Sequence, residues 1–164
     1  MAGLGVFFAL SDEDLSAMLG REDQDELRAQ VDDLEEAWDE AWTQEVDEAW
    51  DGIHRCLSDG TLEPAGGTPP LKWAVLGGED LSGDPDWHAA LVRPAQVQQV
   101  AQALGTIDET WWRARYAELA LQGYQPHDDE DDLEYTWDWF LELREFYRAA
   151  AEAGRAVLFT VERS

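Results

Sequence analysis

His54 stands one helical turn beyond Trp50 and Asp51 in the stretch Trp-Asp-Gly-Ile-His, residues 50 to 54. An imidazole, a carboxylate and an aromatic wall at that spacing can move a proton or hold a polar ligand. The structural alternative is that Trp50 and His54 share a helical face and that His54 is a hydrogen-bonded core residue. A second stretch, Leu-Gly-Gly-Glu-Asp at 76 to 80, could turn backbone amides toward an anion. It lacks the spacing and the lysine of a P-loop, and Glu79 and Asp80 oppose a phosphate. A turn that only glycine can make is the simpler account. If Gly77, Gly78 and Glu79 meet His54 in space, the two stretches form one pocket, with Trp50 and Asp51 in its wall.

A third feature is the triplet Glu-Ala-Trp, which occurs three times between residues 36 and 50 and carries Trp38, Trp42 and Trp50. Side chains four residues apart on a straight helix rotate by about 40° per step, so Trp38 and Trp50 differ by about 120°. That is too wide for a flat ligand ladder, and core packing is the better reading. The other possibility is a groove in which Trp50 and His54, one turn apart, are partly open. Separately, exposed edges of Trp38 or Trp42, with Asp39 and Glu40 beside them, are the candidate contacts for a partner.

Other clusters carry less. His-Asp-Asp-Glu-Asp-Asp at 127 to 132 offers oxygens to a hard cation but lacks the glycine and distal glutamate of an EF-hand loop. It reads as a charge run at a helix N-terminus. His54, His88 and His127 have no mutual metal spacing, so no metal and no cofactor are expected. Cys56 is the single cysteine, which rules out an intrachain disulfide framework and suggests a small core residue. No nucleophile–histidine–acid order, catalytic cysteine signature or dinucleotide fingerprint is present.

The charge is extreme. Thirty-seven acids face eleven lysines and arginines, for a formal net charge of -26 over 164 residues. Lys72 is the only lysine. Such a field repels nucleic-acid phosphates and anionic membranes and attracts basic proteins and cations. Seventeen acids lie between Asp12 and Asp51, against Arg21 and Arg28. The bland account is a solubility shell or host composition. The first residues have no basic n-region, and no apolar run reaches membrane-spanning length, so a cytoplasmic protein is expected.

The elements that must position these residues can be read from periodicity. Residues 4 to 10 are short and apolar, a buried strand. Ser11 with Asp14 resembles a capping box for a short helix ending at Gly20. From Asp23 to Leu57 apolar residues recur every three or four. A break between Thr43 and Asp47 is expected, with Asp47 capping a second helix over 48–58. Residues 71 to 78 read as a strand, 79 to 88 as polar loop, and Ala-Leu-Val-Arg-Pro as a short extended piece. Pro94 opens a helix to Gly105. Thr106 and Glu109 form a capping pair for a helix to Gln122. A long amphipathic helix closes at Gly154, and residues 156 to 161 form a final strand. Strands apolar on both faces indicate a sheet covered by helices. The fold class is α/β (α+β): one helix-rich domain over 1–164, with a small mixed sheet flanked by helices.

"VDEAWDGIHRCLSDG", "LKWAVLGGEDL" and "FYRAAAEAGRAVLFTV", with the opening "MAGLGVFFALSDEDL", resemble the YfbM-like family of small bacterial proteins of unknown function. The resemblance runs end to end and implies a single α/β domain, without an activity, cofactor or catalytic residue. The chain departs from the family pattern in the length and acidity of segment 23 to 46.

Three functions are consistent with these residues. The first is an acidic module that binds, and in an inhibitor- or immunity-like role neutralises, a basic protein, as a monomer or weak dimer. The second is a small-molecule-binding or enzymatic domain around Trp50, His54 and Gly77 to Glu79. The third is a DNA mimic whose carboxylates are spaced like phosphates.

Overall fold

The computed structural model describes residues 3–83, 86–120 and 131–162. Its centre is a five-stranded sheet in the order β2-β1-β5-β4-β3. The strands are β1 (Val6–Leu10), β2 (Thr43–Glu45), β3 (Glu79–Asp80), β4 (Trp87–Val92) and β5 (Ala156–Glu162). Every pairing is antiparallel, where a mixture of directions was expected. The helices are α1 (Asp12–Leu19), α2 (Gln24–Ala37), α3 (Trp50–Leu57), α4 (Pro94–Leu104), α5 (Glu109–Ala120) and α6 (Asp132–Glu152).

The three central strands β1, β5 and β4 are apolar on both faces because both faces are covered. Val6, Phe8, Leu10, Leu91, Ala156 and Leu158 point to one side, where Met18 of α1 and Leu27 and Val31 of α2 pack on them. Phe7, Ala9, Val157, Phe159 and Val161 point to the other and meet the larger core built by α3 to α6. Alternation of side chains along a strand produces this division. The sheet is thus the middle of three layers, with the two acidic N-terminal helices on one side and four helices on the other.

Local signals account for most element ends. The Asp14 amide donates to the Ser11 side chain at 3.1 Å and opens α1. Pro94 stands in the first turn of α4. Asp108, rather than Thr106, caps α5: its carboxylate accepts from the Trp111 amide at 2.8 Å. The expected extension of that helix to Gln122 lies outside the described residues. Three expectations are corrected. The expected break in the stripe from 23 to 57 is there, but it spans twelve residues and contains β2, and Asp47 is not a cap but a residue at φ 51°. Residues 71 to 78 are not a strand; Leu71–Trp73 form a 3-10 turn and the chain then folds back. The polar stretch 79 to 88 supplies β3 and the start of β4.

Candidate functional site

The two sequence motifs around His54 do meet. The His54 Nδ1 accepts from the Leu76 amide at 3.4 Å, which places the ring proton on Nε2. Nε2 then donates to the Glu63 carbonyl at 3.2 Å. From the opposite side His88, on β4, has its Nε2 3.3 Å from the Leu76 carbonyl oxygen. Leu76 is thus held at its amide by one imidazole and at its carbonyl by the other. His54 is 1% exposed, and both ring nitrogens are engaged by backbone.

The glycines beside it are filled by backbone as well. A Cβ on Gly77 would lie 2.0 Å from the Lys72 carbonyl oxygen, and one on Gly78 would lie 2.7 Å from that of Leu91. Glu79 is exposed on β3 and pairs with Arg93 at 3.1 Å. Asp51 is engaged by Arg55 at 2.6 Å on its own helix. Trp50 is buried, its indole nitrogen donating to the Gly3 carbonyl at 2.8 Å. Trp50, His54 and Gly77 therefore lie in a packed region, where His54 and His88 fasten the turn after Leu71–Trp73 onto α3 and β4. Arg115 of α5 holds the end of α3, donating to the Cys56 carbonyl at 3.1 Å and the Ser58 carbonyl at 2.7 Å. Burial pushes the Cys56 thiol up to about 12, which leaves it protonated and inert.

Desolvation lowers His54 to about 4, outweighing the Glu63 hydrogen bond and the Asp59 charge that favour the imidazolium. The unfolded chain takes up a proton below about 6.5 that the folded one refuses until about 4. Stability from this group is complete above 6.5 and is lost as pH falls between those values, by about 3 kcal/mol. Protonation of the abundant carboxylates acts in the opposite direction by relieving repulsion, so His54 must be isolated by difference. Urea denaturation at pH 7.5 and 5.0 should show a His54→Gln variant losing less stability, or gaining more, than wild type over that interval. Parallel pH curves would mean that His54 titrates normally.

A different site opens on the α1–α2 side of the sheet. Along it Glu45, Val6 and Thr160 lie in one cross-strand row, and Glu162 pairs with Trp87 in another. The C-terminal end of α2 overhangs these rows. Together they line a groove of about 420 Å³ whose walls include Leu4, Glu35, Trp38, Glu45, Trp87 and Glu162. Trp38 caps α2 in the left-handed conformation, φ 39°, and is 39% exposed. Left-handed backbone is uncommon for so large a side chain and costs roughly 1 kcal/mol. Leu4 is 51% exposed. Burial, with help from Asp32 and Glu162, raises the Glu35 carboxyl above its ordinary range.

The four residues expected to contact a partner separate here. Trp38 lines the groove. Trp42 is half-buried, with the Arg155 guanidinium 3.9 Å above its ring. Asp39 accepts from the Ala41 amide at 3.1 Å and shapes the turn into β2; Glu40 is exposed beside it. Leu4, Glu35, Glu45, Trp87 and Glu162 were not legible as site residues. They are far apart in sequence, and only the strand order unites them. Of the acidic run at 127 to 132, residues 127–130, with His127, lie outside the described residues. Asp132 is buried and accepts from the Tyr116 hydroxyl at 2.6 Å. Among the described residues no group of three or more His, Cys, Asp or Glu could hold a metal ion.

The chain belongs to the family described as "Domain of unknown function (DUF1877)", whose model matches residues 1–160. Its structure is similar to the crystal structure of YfbM from Escherichia coli, a protein of unknown function, with a TM-score of 0.66. The two are 18% identical over 96% of this chain and 99% of that one, a likeness that shows the fold. No curated protein matches the chain. No helix among the described residues is long and apolar enough to cross a membrane.

Proposed function

We propose that the protein is an acidic interaction module whose task is to hold a basic protein partner, with the Trp38 groove as the contact surface. The observation that carries this reading is the exposure of Trp38 and Leu4 in a groove whose walls bring Glu35 and Glu45, with Glu162 beyond them already bonded to Arg28. Exposed aromatic surface beside an excess of one sign of charge is what a partner of the opposite sign buries with gain. The long-range field of a chain at -26 speeds the encounter. An inhibitor- or immunity-like role in the cytoplasm fits these features, with the free protein a monomer or weak dimer.

The test begins with affinity capture from host lysate at low and high salt and ends with the captured protein purified. A basic protein that binds the purified chain one to one, and weakens steeply with salt, supports the reading. Binding of nothing basic at low salt removes it. The small-molecule reading around Trp50, His54 and Gly77 to Glu79 has less support, because His54 and the glycines are occupied by backbone. Competition with duplex DNA for the captured protein would favour the DNA-mimic reading instead.

A further inference from the structure

The chain already shows how this face accommodates a guanidinium. Arg28 of α2 places its guanidinium carbon 4.3 Å from the Trp87 ring centroid and bonds Glu162 at 3.1 Å. On β5's leading side Arg155 does the same over Trp42, at 3.9 Å, while donating to the Ala9 carbonyl at 3.2 Å. Each is a planar cation on an indole face with an oxygen acceptor at its edge. Trp38 supplies the same indole, and Glu35 and Glu45 line the same groove to supply the oxygens. Among the described residues no cation stands over Trp38.

Resting on the interaction reading above, we propose that the groove is an arginine seat. It takes one arginine of the partner, guanidinium against the Trp38 indole, with Glu35 and Glu45 as its counter-ions. Arginine fits better than lysine for a physical reason. The guanidinium is flat and weakly hydrated, so it stacks on an indole and still donates in its plane to carboxylates, whereas an ammonium must shed tightly held water to do so. Burial is the main cause that raises the Glu35 carboxyl; the charges of Asp32 and Glu162 add to it and that of Arg28 opposes it. Affinity for such a cation falls as pH drops through the carboxylate range, because Glu35 must be ionised to serve.

The experiment uses the full chain and two synthetic peptides of equal length and charge, one alternating glycine with arginine, the other glycine with lysine. Affinities come from calorimetry at low salt. Contact is read from the indole N–H resonances of the tryptophans. The arginine peptide should bind severalfold tighter than the lysine peptide and shift the Trp38 indole signal. Trp38→Ala should weaken the arginine peptide about fivefold and abolish the preference between peptides. Glu35→Gln with Glu45→Gln should weaken it too while leaving Trp38 in place. Trp111, which is 37% exposed on α5, is the comparison site, and Trp111→Ala should change nothing. If arginine binding survives both sets of groove substitutions, the seat is wrong while the acidic module stands, its partner bound elsewhere. If neither peptide binds, the seat is also wrong, and the module is then judged by its purified partner alone.

Discussion

Gly77→Ala will cost the fold at least about 3 kcal/mol, the range of severe overpacking. The added methyl carbon has nowhere to go. It would stand 2.0 Å from the Lys72 carbonyl oxygen, 2.7 Å from the Lys72 carbonyl carbon and 3.1 Å from the Pro64 oxygen. All three are backbone atoms, so no rotamer change can relieve the contact. Nor can the turn back away cheaply. Leu76 is fixed by His54 at its amide and His88 at its carbonyl, and the Ala74 carbonyl accepts from the buried Tyr147 hydroxyl at 2.7 Å. Gly83→Ala is the contrast: nothing lies within 4 Å of its Cβ, and only the positive φ of 61° opposes it, for a cost of about 1 kcal/mol. Urea denaturation midpoints of the two variants measure the difference. A Gly77→Ala protein within 1 kcal/mol of wild type, a margin set by ordinary surface substitutions, would show that the turn is looser than described.

The three tryptophans of the repeated triplet should answer very differently to truncation. Trp50→Ala removes a side chain that is 2% exposed and packs on Phe159 at 6.2 Å between ring centroids. It also deprives the Gly3 carbonyl of its indole donor. A loss of about 4 kcal/mol is expected, as for other buried tryptophans. Against a total stability of about 5–15 kcal/mol for a domain, that threatens folding at moderate temperature. Trp50→Phe keeps most of the apolar contact and should lose about 1 kcal/mol, the cost of a lost hydrogen bond to a partly buried carbonyl plus a small void. Trp38→Ala should cost no more than about 1 kcal/mol, because its ring is partly exposed and belongs to neither core cluster. Equal losses at Trp38 and Trp50, in thermal or chemical denaturation, would restore the single-stripe picture of this stretch.

That contrast explains what the sequence could and could not disclose. Helices α4 and α6 and strands β1 and β5 were legible, because apolar periodicity and end signals such as Pro94 are local properties. The fold class followed from strands apolar on both faces. Segment 23 to 57 misled because Trp42, Val46 and Trp50 keep a helical spacing although Trp42 precedes a strand. Residues 43 to 45 pair with β1 from Phe8 to Val6, and that tertiary pairing overrides spacing. Leu71 to Gly78 misled in the opposite sense. Its centre, Ala74 to Leu76, is apolar because it is buried, not because it is extended. Trp38 was recognised as a surface candidate, but its companions were not, since Leu4, Trp87 and Glu162 become neighbours only when β5 takes its place between β1 and β4.

That placement of β5 also governs the order in which the molecule can be assembled. β1, the first strand made, and β4, made in mid-chain, both bond to β5 and not to each other. Until residues 156–162 have emerged from the ribosome, each of these strands has a bare, strongly apolar edge. Such edges invite pairing with other chains. The helices can form earlier from local contacts, but the sheet closes only by joining residues separated by nearly the whole described length, a slow step for topological reasons. The dense negative charge of the segment that follows β1 repels other copies of the chain while the central gap is still open.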